Sequence, residues 1–80
     1  MYKIFIVEDD LTIAEMIKHH LEVWNHEVKI AEDFQHVMSD FAAFDPHLVL
    51  MDISLPFFNG YYWGTEIRKL SKVPVIFISS

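Results

Sequence analysis

The chain has 80 residues, 52% of them apolar, and a net charge of −6 from 6 basic and 12 acidic side chains, which allows one small domain burying only roughly 60% of its unfolded surface. It has no cysteine, which excludes disulfides and thiolate metal sites, and no basic footprint for direct binding to nucleic acid. Its apolar runs are too short for a membrane span or a signal peptide, so a soluble cytoplasmic domain is expected.

The first run, Ile4-Phe5-Ile6-Val7, is continuous and rich in β-branched residues, as in a strand buried on both faces. From Thr12 to Val23 the apolar residues Ile13, Met16, Ile17 and Leu21 recur at the spacing of an amphipathic helix. Asp10 is one candidate cap for it, and Thr12 with Glu15 as a capping box is the other. Glu27 to Glu32 alternates with period two, the pattern of a half-exposed edge strand. Asp33 is a plausible cap for a second helix whose buried face holds Phe34, Val37, Met38 and Phe41. Asp45-Pro46 ends that helix, because the residue before proline disfavours the helical region. Leu48-Val49-Leu50-Met51 reads as another fully buried strand. The stretch from Asp52 to Gly60 is a loop with Pro56 and the turn pair Asn59-Gly60. A third helix is predicted over Tyr61 to Leu70, and a fourth strand over Val73 to Ile78, with Pro74 tolerable near its start.

Strands alternating with helices predict an α/β fold, three-layered and flavodoxin-like, around a parallel sheet. The alternating second strand belongs at an edge and the apolar first and third in the interior, so the expected order is 2-1-3-4. Ligands bind such sheets beyond the carboxyl ends of the strands, where the order reverses. Glu8, Asp9 and Asp10 follow the first strand, Asp52 the third and Ser79 the fourth, so all lie at that edge. Glu8 or Asp9 would face Asp52 across the crevice. Carboxylates this close repel and need compensation, which a hard cation with oxygen ligands supplies; Mg²⁺ fits best. A carboxylate beside Mg²⁺ can attack phosphorus to form an aspartyl phosphate, and Ser79 is placed to hydrogen-bond a phosphoryl oxygen. The blander alternative is that acids after strands cap helices, as Asp10 would.

Four stretches carry a resemblance. Ile4 to Asp10, Leu48 to Pro56, Asn59-Gly60 and Val73 to Ser80 resemble, in order and spacing, the receiver domain of bacterial two-component response regulators. The resemblance implies that Asp52 accepts phosphate from a sensor histidine kinase. It implies that Asp9, with Glu8 nearby, holds Mg²⁺, that the backbone carbonyl of Ser54 is a further ligand, and that Ser79 senses the phosphoryl group beside a small Ser80. It further implies that residues 1–80 are an incomplete receiver, with the fifth strand, its lysine and the last helices missing, and that DNA would be bound through a missing C-terminal domain. The stretch Asn59 to Trp63 resembles regulators whose kinases respond to cell-envelope peptide antibiotics.

The fourth strand is as apolar as the interior ones, whereas edge strands usually carry charge. A fragment, or an oligomer or strand swap through this edge, is therefore expected. A phosphohydrolase of the aspartyl-phosphate type would need an acid where Ser54 stands, and a nucleotide-binding flavodoxin-like module would need a glycine-rich loop where Glu8-Asp9-Asp10 stands. A pseudo-receiver that only contacts proteins is the remaining alternative. Glu15 with His19 one turn on, and the scattered His26, His36 and His47, read as surface or structural residues. Phe57 and Phe58 are candidates for a partner contact.

Overall fold

A computed structural model describes residues 1–55 and 59–79. Its elements are β1 (Lys3–Val7), α1 (Leu11–Val23), β2 (Glu27–Ile30), α2 (Val37–Phe44), β3 (Leu48–Asp52), α3 (Gly60–Leu70) and β4 (Val75–Ile78). The four strands form one parallel sheet in the order β2-β1-β3-β4, as the sequence predicted. Asp52 pairs with Ile78 in that register, so the chain leaves β3 and β4 side by side.

Alternation along the strands divides the core in two. Phe5, Val7, Val49 and Met51 point to the side covered by α2 and α3, where they meet Val37, Phe41, Trp63 and Ile67. Ile4 and Ile6 point to the other side and pack with Ala14 of α1 and Val28. Each fully buried side chain of this size contributes roughly 1.5–3 kcal/mol. The side held by α1 alone is less well covered. Leu48 and Leu50 are only half-buried, which corrects the expectation that the third strand is buried throughout. On β4, Ile76 and Phe77 keep 48% and 40% of their surface exposed.

Local chemistry explains the other departures. Asp10 caps α1, its carboxylate accepting from the backbone N–H of Thr12 at 3.0 Å and of Ile13 at 3.3 Å, so the Thr12–Glu15 alternative is not used. Asp33 does not cap α2. Its carboxylate accepts from the N–H of Gln35 at 2.8 Å and meets the His36 ring at 2.7 Å, closing a turn that delays the helix to Val37. Phe34 still packs on the core from that turn. α2 ends at Asp45, whose φ of 51° lies in the left-handed region. β4 begins at Val75 because Pro74 has no N–H to give, and its carbonyl instead accepts from Val49 at 3.0 Å. Among the described residues, no helix is long and apolar enough to cross a membrane.

Candidate functional site

The parallel sheet delivers its acids to one edge. Glu8 and Asp9 leave β1, and Asp52 is the last residue of β3. Oxygens of these three carboxylates all lie within 4.8 Å of one another. Asp52 is fully buried and Glu8 is 3% exposed, while Asp9 reaches solvent. Asp10, next in sequence, is turned away as the cap of α1.

The hydrogen bonding of the cluster is incomplete. Asp52 Oδ1 accepts from the N–H of Ser54 at 2.9 Å. Asp52 Oδ2 and both oxygens of Glu8 are buried with no hydrogen-bond partner among the described residues. Burial first, then the proton that Glu8 can share with the Asp52 carboxyl and the charge of Asp52, then the charges of Asp9 and Asp10, push the Glu8 carboxyl up to about 8, although Glu8 and Asp52 form no hydrogen bond in the structure. Native proteins leave few buried oxygens orphaned, and such sites point to a missing ion or a reaction. The donor set is all oxygen, closely spaced and partly open to water, which fits a hard divalent cation such as Mg²⁺. A groove of about 670 Å³ opens beside Glu8 and Asp9 and runs past Glu15, Lys18 and Lys29, so water and ions reach the exposed side of the cluster.

Gly60 fixes the position of the buried acid. Its N–H donates to the carbonyl of Ile53 at 3.2 Å. A Cβ on Gly60 would lie 2.2 Å from the carbonyl oxygen of Asp52, so α3 starts against the backbone of Asp52 only because the residue is glycine. Asn59 caps α3 through the N–H of Tyr62 at 3.0 Å. In the sequence the pair reads only as a turn; its second role needs the chain to return to the end of β3.

Of the other residues singled out in the sequence, Ser79 follows β4 at the same edge and is exposed, and Ser54 is exposed one residue beyond Ile53. Ser80, Phe57 and Phe58 lie outside the described residues. His26 and His47 are structural, each accepting a backbone hydrogen bond at the opposite edge.

Residues 4–80 match the family described as the response regulator receiver domain. The chain is 50% identical over 80 residues to the uncharacterized transcriptional regulatory protein YvcP of Bacillus subtilis, covering 100% of this chain and 34% of that protein. It is 44% identical over 78 residues to the response regulator protein GraR of Staphylococcus epidermidis, covering 98% of this chain and 35% of that one. Among solved structures, the N-terminal domain of the nisin resistance regulator NsrR, a lantibiotic response regulator, superposes with a TM-score of 0.90 at 50% identity, over 98% of this chain and 66% of that domain. The chain thus spans about a third of the length of the curated relatives it matches.

Proposed function

The chain belongs to the response regulator receiver domain family, a signalling module, and on that premise we propose that Asp52 is its phosphoacceptor. The observation that carries this reading is the buried, unpartnered Oδ2 of Asp52 beside two further carboxylates. Asp52 Oδ2 supplies the electron pair for the new O–P bond, and the bond from phosphorus to the donor's histidine nitrogen breaks. The N–H of Ser54, bonded to Oδ1, holds the carboxylate oriented while Oδ2 reacts. Glu8, Asp9, Asp52 and the Ser54 carbonyl would hold Mg²⁺, which would neutralise charge on the phosphoryl oxygens. Glu8 would have to be ionised to serve as one of its ligands. Ser79, at the end of the adjacent strand, is the hydroxyl that reads the phosphoryl group.

Residues 1–80 are read as part of a receiver unit, since they cover 66% of the NsrR domain. The proposed donor is a cytoplasmic sensor histidine kinase, and the proposed output is transcription through a DNA-binding segment of a longer parent, in line with the printed descriptions of the relatives. The NsrR likeness favours an envelope-active peptide as the signal. Treatment of the parent protein with kinase or a small acyl phosphate and Mg²⁺ should give an acid-stable, hydroxylamine-labile label that Asp52→Ala removes. Labelling that persists in Asp52→Ala would place the acceptor elsewhere.

A second proposal concerns the isolated chain. Among the described residues β4 pairs only with β3, and Ile76 and Phe77 are 48% and 40% exposed. An apolar edge with free backbone groups invites pairing with another strand, so the chain joins a second copy there. Sedimentation equilibrium should show a dimer that Ile76→Lys dissolves. A monomer at high concentration would rule that contact out.

A further inference from the structure

At the end of the sheet away from the acids, two histidines hold the start of β1. The N–H of Tyr2 donates to Nδ1 of His26 at 3.1 Å, and the N–H of Lys3 donates to Nδ1 of His47 at 2.9 Å. The same segments answer with backbone bonds. The carbonyl of Tyr2 accepts from Glu27 at 2.9 Å, and that of Lys3 accepts from His47 at 2.8 Å. Lys3 and His47 thus close a two-bond ring. The Tyr2 side chain lies against both imidazoles, with ring centroids 5.6 Å from His26 and 5.9 Å from His47. His26 enters β2 and His47 enters β3, the two strands that flank β1.

These bonds depend on the charge of the rings. A neutral imidazole with its proton on Nε2 accepts at Nδ1; the protonated ring carries N–H at both positions and accepts nothing. Protonation therefore sets one N–H against another at both places. We propose that His26 and His47 form an acid-released clasp at the start of β1: as neutral rings they accept from Tyr2 and Lys3, and protonation removes those two bonds and loosens the segment, leaving only its backbone bonds to Glu27 and His47. Both rings are accessible, His47 being exposed and His26 half-buried. The charged groups around them are mixed. The Met1 ammonium and Lys3 stand on the segment being held, Glu27 adjoins His26, and Glu22 lies at the end of α1. Asp45 and Lys72 line the same surface hollow as His47. Among the described residues no carboxylate forms an ion pair with either ring, so no ion pair replaces the lost bonds when the rings charge. The clasp lies at the end of the sheet remote from the acid cluster.

A pH titration of the ¹⁵N-labelled chain by NMR tests this. At pH 7.5 the ring nitrogens should report Nδ1 as the unprotonated acceptor in both histidines. Between pH 7.5 and 5.5 the Tyr2 and Lys3 amide protons should move upfield with the midpoints of the two rings, and their protection from exchange should fall at least about threefold. His26→Asn with His47→Asn places an amide oxygen where Nδ1 stands, so in that variant the two amides should not titrate. Amides of Tyr2 and Lys3 that ignore the ring titration in the wild-type chain would overturn the proposal. So would Nδ1–H tautomers at pH 7.5.

Discussion

The two ends of this sheet treat their polar groups in opposite ways. At the amino ends of the strands, the N–H groups of Tyr2 and Lys3, at the entry to β1, find acceptors on His26 and His47. At the carboxyl ends, three buried carboxylate oxygens have no partner among the described residues, and one carboxyl is pushed up to about 8. Both ends are built from the same parallel strands, so topology alone does not make the difference. The acid end carries closely spaced buried carboxylates that raise the energy of the folded chain. Such an arrangement persists where a ligand or a reaction completes it.

The sharpest way to break the comparison is to disturb the acid end through its backbone. Gly60→Ala would set a Cβ 2.2 Å from the Asp52 carbonyl oxygen, with the Asp52 and Ile53 backbone both within 2.8 Å. No flexible side chain can give way there, so the expected loss in a urea titration is more than about 3 kcal/mol. Gly64→Ala is the control. Its Cβ would meet only the far edge of the Phe77 ring, at 2.7 Å, and Phe77 is 40% exposed with room to turn. A loss no larger than that of Gly64→Ala would mean that the loop, not the acceptor backbone, absorbs the strain.

The second test removes the charge conflict. In the folded chain Glu8 holds its proton up to about 8, against an ordinary value of 4.5. Between those values the folded state binds more protons than the unfolded one. Stability of the metal-free chain therefore falls as pH rises through that window and levels off above it. Glu8→Gln should flatten this slope and raise stability at pH 8 relative to wild type. Thermal unfolding from pH 5 to 8.5 measures it; equal slopes for the two proteins would show that Glu8 is not the group that titrates.

Much of this was legible beforehand. The strands stood out as Ile4–Val7 and Leu48–Met51, and the alternating Glu27–Glu32 marked the edge, which together fixed the order observed. The acids at the ends of β1 and β3 were brought to one edge by the topology. The departures share a cause: local hydrogen bonds competed with the apolar pattern. Asp33 looks like a helix cap but spends its carboxylate on Gln35 and His36, and the apolar spacing across Phe34 and Val37 is indifferent to that choice. Leu48 and Leu50 look like core, yet their burial depends on which helix lies over β3. His26 and His47 gave no signal, because their partners are backbone groups distant in sequence. Nor does any pattern announce that Gly60 returns to the carbonyl of Asp52.

A third test loads the site. Mg²⁺ at ten times its dissociation constant should stabilise the chain by about 1.4 kcal/mol, and its affinity should tighten with pH from 6 to 8 as Glu8 becomes easier to deprotonate. Asp52→Asn should weaken both effects. A melting temperature unmoved by millimolar Mg²⁺ at pH 8 would remove the cation from the account of why these acids are tolerated.

The smallest effect separates two adjacent residues. Asp9 and Asp10 are alike in sequence and both exposed, yet Asp9 points into the cluster and Asp10 bonds the first turn of α1. Asp10→Ala leaves two N–H groups without their acceptor and should cost about 1 kcal/mol, with Mg²⁺ affinity nearly intact. Asp9→Ala breaks no side-chain hydrogen bond or ion pair among the described residues, so its stability should stay within about 0.5 kcal/mol of wild type while Mg²⁺ affinity drops. Urea titrations with and without Mg²⁺ separate the two. If both variants lost stability and affinity together, the division of labour within Glu8-Asp9-Asp10 would fail, and the acid end would have to be treated as one electrostatic unit.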